Sequence, residues 1–268
     1  MAEIRLTPSH LDSKELLSDI LLFEKNWDHT VDIHQTMARI VDIVVQIKSI
    51  IDVSEPLDEL TRLNGALDYF YLDLAFSSTT QNMPESLLNS ISYLINFHTG
   101  ECLSMSIVLN YVLTELGFNS SIMVIEHEIM VQVMLPDSQK VIVDAVSGEQ
   151  HTHISQVTTS VLPNGLEYDN RMLDKMSLVQ IFLTQQKLAF TDEHQFDKAL
   201  CCIELLIKTT PDDPYQRRDR GFLLHQLDCF NQARDDFEFF IDQCPEDPAA
   251  QLLKLQLEDF EGAVHTVH

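Results

Sequence analysis

The sequence lacks long apolar runs and has few cations, and both deficits exclude classes of protein. No stretch approaches the roughly eighteen uncharged apolar residues of a membrane-spanning helix. The first six residues do not combine a basic region with an apolar one, so no secretory leader is expected. There are 17 Lys and Arg against 42 Asp and Glu, a formal net charge of −25. Nucleic acid and anionic membranes bind clustered cations, so we exclude both and expect electrostatic partners to be basic.

Cysteine is also scarce, and its spacing predicts free thiols. The five cysteines, at positions 102, 201, 202, 229 and 244, are odd in number and fit no disulfide framework. This pattern favours reduced thiols and a cytoplasmic protein. A chain of 268 residues is long enough to bury a substantial core and to form two domains.

The first part of the chain predicts a domain of helices and short strands, residues 1–165. Up to about residue 98, apolar residues recur at helical spacing in four stretches. A fifth helix follows Cys102 and is apolar over most of its circumference, so we expect it at the centre of the domain. Residues 122–125, 129–135 and 141–143 are short and rich in β-branched side chains, which indicates antiparallel strands. These patterns predict an α+β fold with a buried helix against a small sheet.

Cys102 is the candidate nucleophile of this domain. A thiol at the start of a helix meets unpaired N–H groups and the positive end of the helix dipole, which lower its pKa. His127 precedes one predicted strand and Asp144 ends the next, so the three side chains would form a catalytic triad if the sheet covered the helix N-terminus. The alternative is a structural cysteine, an exposed histidine and a turn aspartate.

The last third of the chain, residues 171–268, contains a repeat. Four residues recur 34 positions later, namely Phe196, Ala199, Pro211 and Pro214 as Phe230, Ala233, Pro245 and Pro248. A period of 34 residues with helix-turn-helix patterning is typical of tetratricopeptide repeats. We predict units at about 177–213 and 214–247 and a terminal helix at 248–263. Such repeats either bind a protein or peptide or only buttress the first domain.

Three arginines form the only dense basic cluster of this acidic chain. Arg217, Arg218 and Arg220 lie on the first helix of the full repeat. They are predicted to pair with acidic residues of the N-terminal domain or to receive a carboxylate of a protein partner. The second alternative makes them candidate protein-binding residues.

No metal or cofactor site is expected. Glu149, His151 and His153 offer a carboxylate and two imidazoles, and a His-x-His pattern on a strand projects both rings to one face. No further ligand set accompanies them and the segment is polar. We therefore interpret this segment as a solvated loop.

Several of these motifs resemble known families. The segment Gly100–Ser106 resembles the cysteine motif of the transglutaminase-like superfamily, and the order of His127, strand, turn, strand and Asp144 resembles it too. Residues from about 57 to 262 resemble the bacterial SirB family, with Pro214–Gly221 as the most specific match. That resemblance implies a helix-rich, cysteine-protease-like core with a small antiparallel sheet, followed by an all-α tail of tetratricopeptide repeats.

The same resemblance leaves two hypotheses for function. Members of the SirB branch often carry Asn-Pro where this chain has Glu101-Cys102. Counting back from Gln132 by the superfamily spacing places Glu128 at the histidine position, whereas side-chain alternation aims His127 at the cysteine helix. We favour a non-catalytic regulatory protein that binds partners through its repeats. The alternative is an amide hydrolase or acyltransferase with a Cys-His-Asp triad. The sequence predicts no oligomeric state.

Overall fold

Aspartates begin the first three helices of the chain. The computed structural model describes residues 12–52, 58–78, 82–136, 138–153 and 171–265. It begins with three helices: α1 (Ser13–Trp27), α2 (Ile33–Ile51) and α3 (Glu59–Asp68). The side chains of Asp12, Asp32 and Asp58 each accept a backbone N–H of the following first turn. These bonds satisfy donors that a helix start leaves unpaired, so the local sequence sets where the helices begin.

The last of the four helical stretches predicted before residue 98 is broken in two. The two helices are α4 (Glu85–Leu88) and α5 (Ile91–Phe97). The carboxylate of Glu24, on α1 and only 1% exposed, accepts the N–H groups of Ile91 at 2.6 Å and Ser92 at 3.1 Å. It also accepts the hydroxyl of Ser90 at 3.1 Å. A buried carboxylate from another helix therefore caps α5, which the local apolar pattern does not reveal.

A nearly fully buried helix and a five-stranded sheet form the centre of the first unit. These elements are α6 (Cys102–Glu115), β1 (Asn119–Ile125), β2 (Glu128–Met134), β3 (Lys140–Val143), β4 (Gln150–His153) and β5 (Arg171–Met172). The strand order is β4-β3-β2-β1-β5, and every neighbouring pair is antiparallel. All α6 residues from Leu103 to Leu113 are buried. The predicted α+β class is confirmed.

The register of the sheet shows which of its faces meets α6. Ile122, Val131 and Val143 lie opposite one another on adjacent strands and are fully buried. Ser120 is on the same side of β1 and donates its hydroxyl to the side-chain oxygen of Asn110, on α6, at 2.8 Å. Residues on this side of the sheet therefore face α6.

The solvated loop predicted around His151 is wrong, because residues 150–153 form β4. This strand pairs with β3 through residues such as Val141 opposite Thr152. Sheet pairing uses backbone N–H and C=O groups, which polar side chains leave available. The sequence pattern failed here because an edge strand needs no apolar alternation.

The second unit consists of helix pairs at the predicted repeat spacing. Its helices, with the one that leads into it, are α7 (Lys175–Asp192), α8 (Phe196–Thr209), α9 (Pro214–Gln226), α10 (Phe230–Gln243) and α11 (Pro248–His265). α9 and α10 approach closely at Gly221, where a Cβ atom would lie 2.6 Å from the ring of Phe237. Glycine is therefore required at this contact. Among the described residues, no helix is long and apolar enough to cross a membrane.

The chain divides into two compact units, residues 1–182 and 183–268. The dividing point falls within α7, so this helix contributes residues to both units. The predicted domain limit at residue 165 lies outside the described residues, and the predicted domains, 1–165 and 171–268, stay a prediction.

Replacement of Glu24 tests the cap of α5. Glu24→Gln is expected to lower the free energy of unfolding by about 2 kcal/mol. The NH2 group of glutamine is a donor and cannot accept the N–H or O–H groups that the replaced carboxylate oxygen accepts. Urea unfolding followed by circular dichroism measures the change. The matched control is Glu85→Gln, which alters an exposed carboxylate of α4 and is expected to change stability by less than about 0.5 kcal/mol.

The effect of Glu24→Gln should depend on pH. Burial raises the pKa of Glu24 above its ordinary value, against the opposing effect of its hydrogen bonds. The folded state therefore favours the protonated carboxyl, and this contribution to stability is lost as pH rises through the folded-state pKa. The difference between wild type and variant should be larger near about pH 4 than near about pH 8. An equal or larger difference at the higher pH would contradict this assignment.

Candidate functional site

Cys102 is the first residue of α6 and is half-buried. Its thiol donates a hydrogen bond to the backbone oxygen of Ile129, on β2, with the two atoms 3.1 Å apart. Only the protonated sulfur can make this bond. The preceding residue, Glu101, gives no side-chain cap to the helix. The contact joins the start of the buried helix to the strand that lies against it.

The pKa of the Cys102 thiol is raised to about 11, so the lowered pKa predicted from its place on the helix is wrong. The largest cause is burial, which disfavours the charged thiolate, and the carboxylates of Asp144 and Glu101 add to it. The hydroxyl of Ser106 stabilises the thiolate and opposes the shift, although it forms no hydrogen bond of ordinary geometry. Burial and nearby negative charge therefore raise the pKa of this thiol although it lies at a helix N-terminus.

Asp144 lies close enough to Cys102 for its charge to act on the thiol. Both of its carboxylate oxygens are already engaged in the turn that follows β3. One accepts the backbone N–H of Val146 at 2.9 Å, and the other accepts the hydroxyl of Ser147 at 2.6 Å. This arrangement is that of a turn aspartate, which stabilises the local backbone.

Tyr71 is a third member of the site, and the sequence analysis did not identify it. It lies in a π-helical segment, Tyr69–Asp73, an uncommon conformation that recurs at functional sites. Its hydroxyl donates to the backbone oxygen of Ala145 at 2.8 Å. Burial raises its pKa, and the charges of Asp144 and Cys102 raise it further. The only signal in the sequence is the aromatic triplet at residues 69–71, which equally fits a helix in the core.

Gly148 fits the turn after β3 against Tyr71. Its φ of +74° lies in the left-handed region, and a Cβ atom there would come within 2.7 Å of the Tyr71 ring. No other residue type meets both conditions without displacing the ring. The turn that carries Asp144 therefore depends on this glycine.

His127 lies at the exposed tip of the hairpin between β1 and β2. It forms a two-residue turn with Glu126, and both residues have positive φ, 52° and 74°. The side-chain alternation of β2 stops at Glu128, so the prediction that it directs His127 toward α6 is wrong. Among the described residues, His127 forms no hydrogen bond or ion pair with Cys102 or Asp144. Glu128, the other candidate for the histidine position, is exposed as well.

The side chain that faces α6 from the start of β2 belongs to Ile129. It is two residues from the buried Val131, and its cross-strand partner Val124 is on the same side of β1 as Ser120. Its own carbonyl receives the proton of Cys102. The partner of the thiol is thus the backbone of an apolar residue, and no imidazole is its hydrogen-bond partner among the described residues. This arrangement holds the thiol as a neutral donor.

The structure places two of the three predicted triad residues together, with Tyr71 beside them. Cys102 and Asp144 interact, whereas His127 is at the hairpin tip. The thiol of Cys102 and both carboxylate oxygens of Asp144 are thus engaged in hydrogen bonds with other groups. No group of three or more His, Cys, Asp or Glu side chains suited to a metal ion occurs among the residues that the structure describes.

The three arginines of the repeats pair with acidic residues of the second unit itself, whereas the two predicted alternatives were acidic residues of the N-terminal domain and a carboxylate of a protein partner. Arg217 and Arg220 both bind Asp236 of α10, which is only 2% exposed, at 3.2 and 2.6 Å. Arg218 binds its neighbour Asp219 at 2.7 Å. A carboxylate buried between two helices requires nearby cations, and the adjacent helix supplies them.

A helix-led α+β core with a cysteine at the start of its buried helix, followed by helical repeats, defines a transglutaminase-like protein with a tetratricopeptide tail. Residues 33–184 match the transglutaminase-like superfamily, and residues 186–258 match the tetratricopeptide repeat. The first match covers more than half of the chain, and the chain therefore belongs to the transglutaminase-like superfamily.

The relatives belong to one bacterial group, so the predicted resemblance to the SirB family is confirmed. The chain is 25% identical to the UPF0162 protein YchA of Escherichia coli K12 over 234 residues, 85% of each chain. It is 22% identical to Protein SirB1 of Salmonella typhimurium over 211 residues, 77% of this chain and 78% of that one. A UPF0162 protein of Pasteurella multocida is 48% identical over 82 residues, a match that spans only 31% of each chain. No solved structure matches the chain significantly.

A histidine at position 129 should activate Cys102. In Ile129→His the imidazole would face α6 beside the thiol, and its positive charge would lower the thiol pKa from about 11. Each pKa unit increases the thiolate fraction at neutral pH about tenfold, so alkylation of Cys102 at about pH 7 should accelerate about tenfold or more.

Peptide mass spectrometry after timed treatment with iodoacetamide measures the rate. Ile129→Asn is the matched control, because it introduces a polar side chain of similar size without a titratable group. Equal alkylation rates in the two variants would show that the side chain at position 129 does not face the thiol.

Glycine at position 127 should stabilise the hairpin. The φ of +74° at His127 costs about 1 kcal/mol in a residue with a side chain, whereas a turn of this kind favours glycine. His127→Gly is therefore expected to raise the free energy of unfolding by about 0.5–1 kcal/mol, measured by urea unfolding. His34→Gly, on the exposed face of α2, should have the opposite sign. Destabilisation by His127→Gly would contradict the turn.

Proposed function

We propose that this chain is a non-catalytic interaction or regulatory protein, in which the transglutaminase-like core is structural and the tetratricopeptide repeats bind a protein or peptide partner. The observation that carries this proposal is the hydrogen bond from the Cys102 thiol to the carbonyl of Ile129. A catalytic cysteine requires a base at that point, whereas this thiol donates to a backbone carbonyl, with the hydroxyl of Ser106 and the charge of Asp144 nearby.

The electrostatics of the site support the same proposal. The pKa of Cys102, raised to about 11, leaves the thiol protonated at neutral pH. Both carboxylate oxygens of Asp144 accept hydrogen bonds within its own turn, and its negative charge disfavours the thiolate. His127, the predicted general base, is exposed on a turn instead of facing the sulfur. The raised pKa, the charge of Asp144 and the position of His127 all oppose nucleophilic chemistry at Cys102.

The surface of the repeats supports the binding role. Large apolar side chains are exposed on the repeat helices, among them Phe222 on α9, Phe230 on α10 and Leu252 on α11, at 46%, 50% and 63% of their area. Exposed apolar side chains on repeat helices are typical of surfaces that bind other proteins. A basic partner in the cytoplasm remains our prediction for a chain with a net charge of −25.

The second candidate function is a cysteine-dependent amide hydrolase or acyltransferase. It is favoured by the proximity of Cys102, Asp144 and Tyr71, three groups that interact electrostatically in one site. In this alternative Cys102 is the nucleophile, His127 the general base and Asp144 the orienting group, with a thioester intermediate. It requires the hairpin turn to rearrange so that the imidazole reaches the sulfur.

Alkylation by iodoacetamide distinguishes the two candidates. At about pH 6–7, Cys102 of the wild type is expected to react no faster than the half-buried Cys229 and Cys244, because its thiol stays protonated. Peptide mass spectrometry reads all five thiols in one sample. His127→Ala should leave the rate at Cys102 unchanged, and Cys102→Ala identifies the peptide.

The catalytic alternative makes opposite predictions for the same samples. Cys102 would be the fastest of the five thiols at about pH 6–7, and His127→Ala would remove that advantage. That pair of results would overturn the proposed function. The experiment uses the full-length chain and no assumed substrate.

A further inference from the structure

One face of α9 presents aromatic rings on both sides of an arginine. Tyr215, Arg218 and Phe222 are spaced by three and four residues, so their side chains lie along the same side of the helix. The two aromatic residues are 45% and 46% exposed, and the Arg218 side chain is 26% exposed. We call these three residues the α9 stripe. They offer apolar surface and one charged group to a common ligand.

The guanidinium of Arg218 is held in place and keeps a spare donor. Its Nε and Nη2 both donate to one oxygen of Asp219, at 3.1 and 2.7 Å. Its central carbon is 5.2 Å from the ring centre of Tyr215 and 5.4 Å from that of Phe240. Within the described part of the chain, its Nη1 has no hydrogen-bond partner. A guanidinium fixed by rings and one carboxylate loses little entropy when it binds a second carboxylate.

The charges around the three arginines separate Arg218 from the other two. Asp219 also accepts a hydrogen bond from Lys187, so two cations share one anion and this group carries a net charge of +1. Arg217 and Arg220 share Asp236, and Arg220 also contacts Glu204 at 3.9 Å, so two cations meet two anions there. The positive charge that remains for a ligand is at Arg218.

We propose that the α9 stripe binds an apolar peptide segment through one carboxylate, which Nη1 of Arg218 receives while the rings of Tyr215 and Phe222 contact the flanking apolar side chains. This inference rests on the proposed function, in which the repeats bind a partner. The carboxylate belongs to an aspartate, a glutamate or a chain terminus. Since the protein carries a net charge of −25, the rest of the segment is neutral or basic and does not contain an acidic run.

Two aspartates near the first turn of α9 favour a peptide that also carries a cation. Asp213 caps the helix, and Asp247 accepts the hydroxyl of Tyr215 at 3.1 Å. A lysine or arginine of the peptide that extends beyond Tyr215 would meet these carboxylates. The ligand therefore combines a single carboxylate with apolar residues and a nearby cation.

A randomised hexapeptide library tests this inference on the full-length chain. One half of the library has free C-terminal carboxylates and the other half has C-terminal amides, and mass spectrometry identifies the peptides that the immobilised protein retains. We expect retained peptides with a single carboxylate beside Leu, Ile or Phe. Enrichment in the amide half identifies a side-chain carboxylate, and enrichment confined to the acid half identifies a chain terminus.

Variants locate the site. Arg218→Gln is expected to reduce enrichment of these peptides at least about tenfold, and Phe222→Ser should weaken it, although it also removes a ring contact with Phe237. Lys254→Gln is the matched control, since it removes an exposed positive charge from α11 and should leave enrichment unchanged. Thermal unfolding of each variant shows that its fold is retained.

Three results would overturn the inference: retained peptides that lack a carboxylate, equal retention by wild type and both stripe variants, or no retention of any peptide by the wild type. None of these results bears on the reactivity of Cys102, which the alkylation experiment measures. A failure of the peptide site is thus distinguishable from a failure of the proposed non-catalytic core.

Discussion

Burial of α6 is the constraint on which the candidate site depends. Every residue from Leu103 to Leu113 is buried, so the helix is held on all sides and its first residue is drawn against β2. Cys102 then donates its proton to the carbonyl of Ile129, and desolvation raises its pKa to about 11. Burial of the helix also shields Cys102 from the water that would stabilise a thiolate, and the nearest charges are negative.

The second unit uses charge in two ways on one helix. Asp236, between α9 and α10, is almost inaccessible and takes both Arg217 and Arg220, which fixes the helix pair. Arg218, one position from Arg217, points to another face and stacks on Tyr215 and Phe240. Breaking a pair with the buried Asp236 leaves an uncompensated charge, whereas the partner of Arg218, Asp219, is 30% exposed and stays in contact with water. Adjacent arginines can therefore differ in role, one structural and one available for binding.

Much of the fold followed from local chemistry. The 34-residue recurrence of residues such as Ala199 and Ala233 predicted the helix pairs of the tail, and the apolar circumference of residues 103–116 predicted the central helix. Asp12 marked a helix start because its side chain satisfies nearby N–H groups whatever the tertiary context. The break between α4 and α5 was not predicted, because Ser90 supplies the only local cap and the buried carboxylate that also binds the first N–H groups of α5, Glu24, is distant in sequence. The polar strand β4 was not predicted, because its pairing with β3 uses backbone groups and requires no particular pattern of side chains.

The sequence by itself determined most of the helices and strands, their order and the family resemblance. Tertiary structure decided the chemistry of the site. Side-chain alternation predicted that His127 faces α6, but residues 126 and 127 form a turn with two positive φ values, so β2 begins only at Glu128 and the imidazole is exposed. Likewise, the helix dipole acts on Cys102 from within the local sequence, whereas its burial and the charge of Asp144 come from distant segments. The reactivity of Cys102 depends on all of these effects, and the largest of them, burial, arises only when the chain is folded.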